Sequence, residues 1–139
     1  MGMTFDAVDA FVMNLPGVTV GTKWGNRTWM VNGKGFAWQR PLRKADLERF
    51  GDETPPAGEI LAVSVENLDA KDALLAMALP GFFTIAHFNG YPAILIALRQ
   101  ARTKDVRAAI LDAFRTVASS LPIAKRAAPR ARKRRGRRA

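Results

Sequence analysis

Cysteine is absent from the 139 residues, and histidine and tyrosine occur once each, as His87 and Tyr91. No disulfide or thiolate metal site is therefore possible, and a reducing compartment is the simple expectation. A single histidine without cysteine excludes a typical zinc site, so no metal or other cofactor is expected. No apolar run approaches the ~20 residues that cross a bilayer. The opening MGMTFDAVDAFVMNLPG has no basic n-region and sets Asp6 and Asp9 inside its apolar pattern, unlike a secretory signal. These absences predict a cytoplasmic protein with no membrane partner.

Acidic residues are missing from one region only. Of the 22 basic residues nine fall in 121–139 (Lys125, Arg126, Arg130, Arg132, Lys133, Arg134, Arg135, Arg137 and Arg138), where there is no acidic residue. The remaining 13 basic residues face all 12 acidic ones, so the net charge of +10 belongs almost wholly to the tail. Residues 1–122 read as one globular domain. Residues 123–139 have almost nothing apolar to bury, and we expect a disordered Arg/Lys-rich tail.

The most informative stretch is Gly21 to Pro41, which holds all three tryptophans, Trp24, Trp29 and Trp38. Asn32-Gly33 divides two runs of strand-forming residues, and this pair tolerates the positive φ of a two-residue turn. With a two-residue loop the hairpin opposes Val31 to Lys34, Trp29 to Phe36 and Arg27 to Trp38; a three-residue loop with a bulge would shift this register. Its core face would carry Trp29, Val31, Phe36 and Trp38.

Thr4 can cap a first helix, with Phe5, Val8, Phe11, Val12 and Leu15 at helical spacing and Pro16-Gly17 at its end. The connection from Arg43 to Gly58 is long, with room for a helical turn around Lys44 to Phe50. Glu59 to Glu66 alternates as a strand. Asn67 or Asp69 can open a helix over Leu68 to Leu79, with Lys71 and Asp72 on its outer side. Asn89-Gly90 suggests a second hairpin whose buried face carries Phe83, Ile85, Ile94, Ile96 and Leu98, with Pro92 at a strand start or edge. Thr103 caps a last helix holding Val106, Ile110, Ala113, Phe114 and Val117. The expected fold is an α+β two-layer sandwich of order α-β-β-β-α-β-β-α, an antiparallel sheet with helices on one face.

This order, the WMVNGKGFAW hairpin and the segment FFTIAHFNGYPAILIAL resemble the MmcQ/YjbR-like proteins over roughly Phe5 to Leu121. Pro16-Gly17, Lys34 with Phe36, Asp69, His87 before an aromatic, and the PLRKADLERFGDE insertion fit as well. The resemblance implies a small sandwich likened to frataxin and to type III secretion chaperones. It also implies a possible DNA-binding role, with no residue list, and it does not extend to the basic tail.

Three functional readings follow. The first is non-enzymatic nucleic-acid binding, mainly to DNA, in which Arg130, Arg132, Lys133, Arg134, Arg135, Arg137 and Arg138 give sequence-independent phosphate contacts. Lys23, Arg27 and Lys34 could add contacts from the hairpin while Trp24 stacks on a base, although a solvated rim explains the same charges. The second is a protein- or peptide-binding module, with a protein partner. The third is a small-ligand pocket formed by Trp24, His87 and Tyr91, joined by Lys23. The plain alternative for His87 is a ring that hydrogen-bonds its turn. No nucleophile setting is apparent, so no catalytic residue is assigned.

Overall fold

A computed structural model describes residues 3–119. The elements run α1 (Phe5–Val12), β1 (Val18–Lys23), β2 (Asn26–Val31), β3 (Lys34–Gln39), α2 (Lys44–Arg49), β4 (Ile60–Ser64), α3 (Leu68–Ala76) and β5 (Phe82–Phe83). A 3-10 turn (Ala86–Phe88), β6 (Ala93–Ala97) and α4 (Thr103–Ala118) complete them. All strand pairs are antiparallel, in the order β1-β2-β3-β4-β6-β5. The chain thus adopts the expected α+β architecture, enlarged by β1 and α2.

Thr4 caps α1, its Oγ1 accepting from the Ala7 amide at 3.1 Å, and Asn67 Oδ1 does the same for Ala70 at 2.8 Å. α4 begins at Thr103 itself, with Arg102 in the cap position. The main core lies between the sheet and α1, α3 and α4. There Val8, Val12, Val106, Ile110 and Ala113 meet Trp29, Phe36, Leu61, Val63, Ile94 and Ile96.

The first hairpin keeps its two-residue turn, with φ of 55° at Asn32 and 81° at Gly33, and Val31 opposes Lys34. Beyond that the expected register fails. A β-bulge leaves Phe36 without a cross-strand partner, so Trp29 opposes Ala37 and Thr28 opposes Trp38. One extra residue inverts every later side chain. Trp38 therefore leaves the helical face and joins a second core on the far side of the sheet.

That second core holds Ile60, Ala62, Ile85, Phe88, Ala93 and Leu95, with Trp38, Leu42, Phe50 and Phe83 against it. It exists because β4 and β6 are buried on both faces and need cover on each. Leu42 before α2, Phe50 just after it, and Ile85 and Phe88 at the 3-10 turn supply it. For the same reason the second hairpin is not a tight one. β5 stops after Phe83, and the chain crosses the far face before Asn89 (φ −61°, ψ 130°) and Gly90 (φ 75°) form a type II turn. Phe83 and Ile85 thus pack away from Ile94, Ile96 and Leu98.

Candidate functional site

The far face of the sheet is where side chains with chemical potential converge. The β1–β2 turn is Trp24-Gly25, with φ of 55° and 78°, between the paired residues Lys23 and Asn26. Asparagine or glycine usually takes the first of these positions. A tryptophan there holds left-handed backbone at a cost of about 1–2 kcal/mol. Its ring returns nothing to the fold, since Trp24 is 90% exposed. Strain maintained without a packing benefit marks a residue whose use lies outside the fold.

Behind Trp24 stands a buried ion pair. Arg40 Nη1 donates to Asp46 Oδ2 at 3.0 Å and to the Pro41 carbonyl at 2.6 Å. The same Asp46 oxygen accepts the Arg43 amide at 2.9 Å, which ties down the start of α2. Burial alone would raise the Asp46 pKa. The Arg43 amide, the Arg40 guanidinium and the positive charge available at His87 together hold it below its ordinary 3.8. Arg40 Cζ also lies 5.6 Å from the centroid of Phe88, so the guanidinium is fixed on both its edge and its face.

The third wall is the loop from Ile85 to Tyr91. Ile85 and Phe88 point into the second core, which turns His87 and the half-exposed Tyr91 outward. Phe88 meets the Tyr91 ring edge-on, 5.5 Å between centroids. Lys71 clamps this loop from α3. Expected on the outer side of its helix, it is buried instead, and Nζ donates to the carbonyls of Phe88 at 2.6 Å and Tyr91 at 2.9 Å. Each carbonyl also accepts a turn amide, Tyr91 N–H for Phe88 and Ala93 N–H for Tyr91, and the lysine adds a second, charged donor to both.

Desolvation lowers the Lys71 pKa below its ordinary 10.5, opposed in part by the charge of Asp72. The unfolded chain then binds more protons than the folded one between that lowered value and 10.5, so stability rises with pH across this window. Lys71→Met should lose that rise. It should also lower stability by about 1–3 kcal/mol at neutral pH, as two hydrogen bonds from a charged donor to the loop are lost. Urea unfolding of both proteins at neutral and alkaline pH checks each part.

Trp24, Trp38, Arg40, Arg43, His87, Phe88 and Tyr91 line a concavity of about 480 Å³. Three of these are the pocket residues expected from the sequence, Trp24, His87 and Tyr91. Lys23, proposed with them, is not in the lining. No lining residue is a carboxylate. The hairpin cations do not converge here. Arg27 lies over Trp29 on the opposite face, Cζ to ring centroid 5.9 Å. Lys34 sits at the far end of β2, about 17 Å of strand from the Trp24 turn. Arg130, Arg132, Lys133, Arg134, Arg135, Arg137 and Arg138 lie outside the described residues.

Arg40 and Arg43 follow the hairpin directly in the chain, and nothing in the sequence links them to His87. The link is Phe88, whose ring touches both Arg40 and Tyr91. Of the two acidic residues of α1, Asp9 is engaged structurally, its Oδ1 accepting from Trp29 Nε1 at 2.8 Å. Among the described residues no three His, Cys, Asp or Glu side chains group as metal ligands. None of their helices is long and apolar enough to cross a membrane. A second groove, of about 620 Å³, runs between α3 and α4. Its lining includes Val63, Leu74, Met77 and Phe82, with Glu66, Asp105 and Asp112 also present.

No family model matches the chain, and no solved structure matches it. Curated relatives do, among them the uncharacterized protein Rv2570 of Mycobacterium tuberculosis and the uncharacterized protein Mb2600 of Mycobacterium bovis. Each is 39% identical over 114 residues, covering 80% of this chain and 85% of the relative. This chain belongs to the family of these mycobacterial proteins.

Proposed function

We propose that the protein is a non-enzymatic nucleic-acid-binding protein of MmcQ/YjbR-like type acting in the cytoplasm. The observation that carries this reading is the concavity's lining: four aromatic rings, two arginines and a histidine, with no carboxylate. Polyanions with flat, stackable bases match such a surface, because arginines meet phosphates while ring faces meet bases. The tail cations fit the same reading, since each neutralised phosphate releases condensed counterions.

The test compares the intact chain with a full-length variant in which Arg130, Arg132, Lys133, Arg134, Arg135, Arg137 and Arg138 are all glutamine. With about six tail contacts to duplex DNA, the intact chain should lose roughly a thousandfold in affinity between 50 and 200 mM salt. The variant should bind far more weakly at low salt, with a much shallower salt slope. If the intact chain binds neither DNA nor RNA at low salt, the reading is wrong. The protein- or peptide-binding alternative, which rests on the α3–α4 groove and its exposed Met77, would then take its place.

A further inference from the structure

The structure assigns the concavity beneath Trp24 to a single unpaired nucleotide, its base stacked on the Trp24 ring and its phosphate held by Arg43 and Arg40. This inference rests on the nucleic-acid reading for its biological setting, but the pocket chemistry stands by itself.

Four observations carry it. The first is Trp24. Its 90% exposed ring sits on a left-handed turn at the mouth of the concavity, and only the turn backbone holds it in place. An exposed indole offers a broad π-face, and stacking on such a face tolerates any base. The second is Tyr91, also half-exposed, on the wall contributed by the Ile85–Tyr91 loop. Lys71 holds that loop in place.

The third is Arg40. Its side chain is 6% exposed, and both of its hydrogen bonds leave from Nη1. Among the described residues Nε and Nη2 therefore have no hydrogen-bond partner, although the residue lines the concavity. A guanidinium with three uncommitted N–H donors on Nε and Nη2 is a pre-set receptor for phosphate oxygens. Exposed Arg43, at the head of α2, adds a charge with no ion-pair partner among the described residues, and no lining residue is a carboxylate.

The fourth is size. About 480 Å³ lies in the range of small-ligand sites and is large enough for a nucleoside phosphate. Bases inside a duplex have both faces covered, so only an unpaired base can lie against Trp24. An acidic peptide would use the arginines and leave the ring faces without a role. The shared ligand chemistry is a nucleoside phosphate, which a single strand or a free mononucleotide can supply.

The experiment uses the full chain with three probes: a fluorescein-labelled deoxythymidine 15-mer, a labelled duplex of the same length, and adenosine monophosphate. Trp24→Asn is the informative variant. It creates an Asn-Gly turn, which the hairpin geometry favours, and removes only the ring. We expect it to weaken single-strand binding roughly ten- to a hundredfold and to move duplex binding less than about twofold. Arg43→Gln should weaken single-strand binding and lower its salt slope by about 0.7.

Quenching of tryptophan emission by adenosine monophosphate, lost in Trp24→Asn, would identify a free nucleotide as sufficient. Quenching by the strand alone would identify the strand as the source. Unchanged single-strand affinity in Trp24→Asn overturns the inference, while duplex binding through the tail would leave the nucleic-acid reading intact. Binding of the monophosphate alone, with no nucleic acid bound, would keep the pocket assignment and remove the nucleic-acid reading. No binding of any probe removes both.

Discussion

Replacing Asp46 by alanine is expected to destabilise the protein by about 3–5 kcal/mol, measured as a lowered urea midpoint at neutral pH. The size follows from what stays behind. Arg40 would remain buried with the Pro41 carbonyl and the Phe88 ring but no anion to meet its charge, and the Arg43 amide would lose its acceptor. The pair's net value is much smaller than this loss, because burying both charges has already cost most of their attraction. The double variant Arg40→Met with Asp46→Leu should therefore recover a large part of what Asp46→Ala loses. A double variant no better than the single one would mean that the pair's hydrogen bonds outweigh its desolvation.

The same pair gives a pH signature of definite sign. The folded Asp46 pKa lies below the unfolded 3.8, so its contribution is fully present above 3.8. It is lost as pH falls through the lowered folded value, when the folded state also takes up the proton. Wild type and Asp46→Ala should accordingly differ most at neutral pH and converge in strong acid. A difference that stays constant down to about pH 2.5 would show that the alanine acts through lost packing instead.

The layout of the fold was legible wherever one side-chain period held over a whole element. Glu59 to Glu66 alternates cleanly, and its two sets of residues divide between the two cores as the alternation requires. The α4 stripe of Val106, Ile110, Ala113 and Val117 is equally plain, since a helix over one sheet face leaves one apolar side. β1 escaped notice for the opposite reason. It is an edge strand, VTVGTK, with Val20 47% exposed and no buried residue, so composition carries no core signal. A Cβ on Gly21 would come within 2.7 Å of Met30 Cε, the mobile end of a side chain that can swing aside, so sterics do not demand glycine there.

The bulge at Phe36 is harder to read, because no local residue announces it. It is set by competition between two cores. Phe36 packs edge-on against Phe114 of α4, 5.7 Å between centroids, while Trp38 is needed to cover Ala62 on the other side. Regular alternation would put both rings on one face, as the sequence reading supposed. Only a sheet buried on both sides makes the extra residue favourable.

The candidate site shows a similar division. Exposed aromatics stand out in sequence, so Trp24, His87 and Tyr91 could be grouped before their positions were known. The polar residues that hold them could not. Lys71 looks like any outward helix lysine, and only the loop crossing beneath it makes its ammonium a donor to two carbonyls. Arg40 looks like one cation among several near the hairpin. What separates it from Arg27 is the face of the sheet, and the bulge decides that face.

The second large effect concerns Trp29. Its indole is fully buried at the centre of β2, opposed to Ala37 on one side and Val20 on the other. Its Nε1 reaches α1 through Asp9 Oδ1 at 2.8 Å. Trp29→Ala should lower stability by about 3–5 kcal/mol, since the bulged and regular strands around it cannot close over the cavity. Trp29→Phe separates the two roles of the side chain. It keeps most of the ring and removes the hydrogen bond, so a loss of about 1 kcal/mol is expected. Asp9→Asn retains an oxygen acceptor for the indole and should cost less than Trp29→Phe. Thermal melts of the three variants place these losses on one scale. If Trp29→Phe proves as damaging as Trp29→Ala, the tie between α1 and the sheet runs through the Asp9 bond and not through packing. Ring volume would then contribute little to the stability.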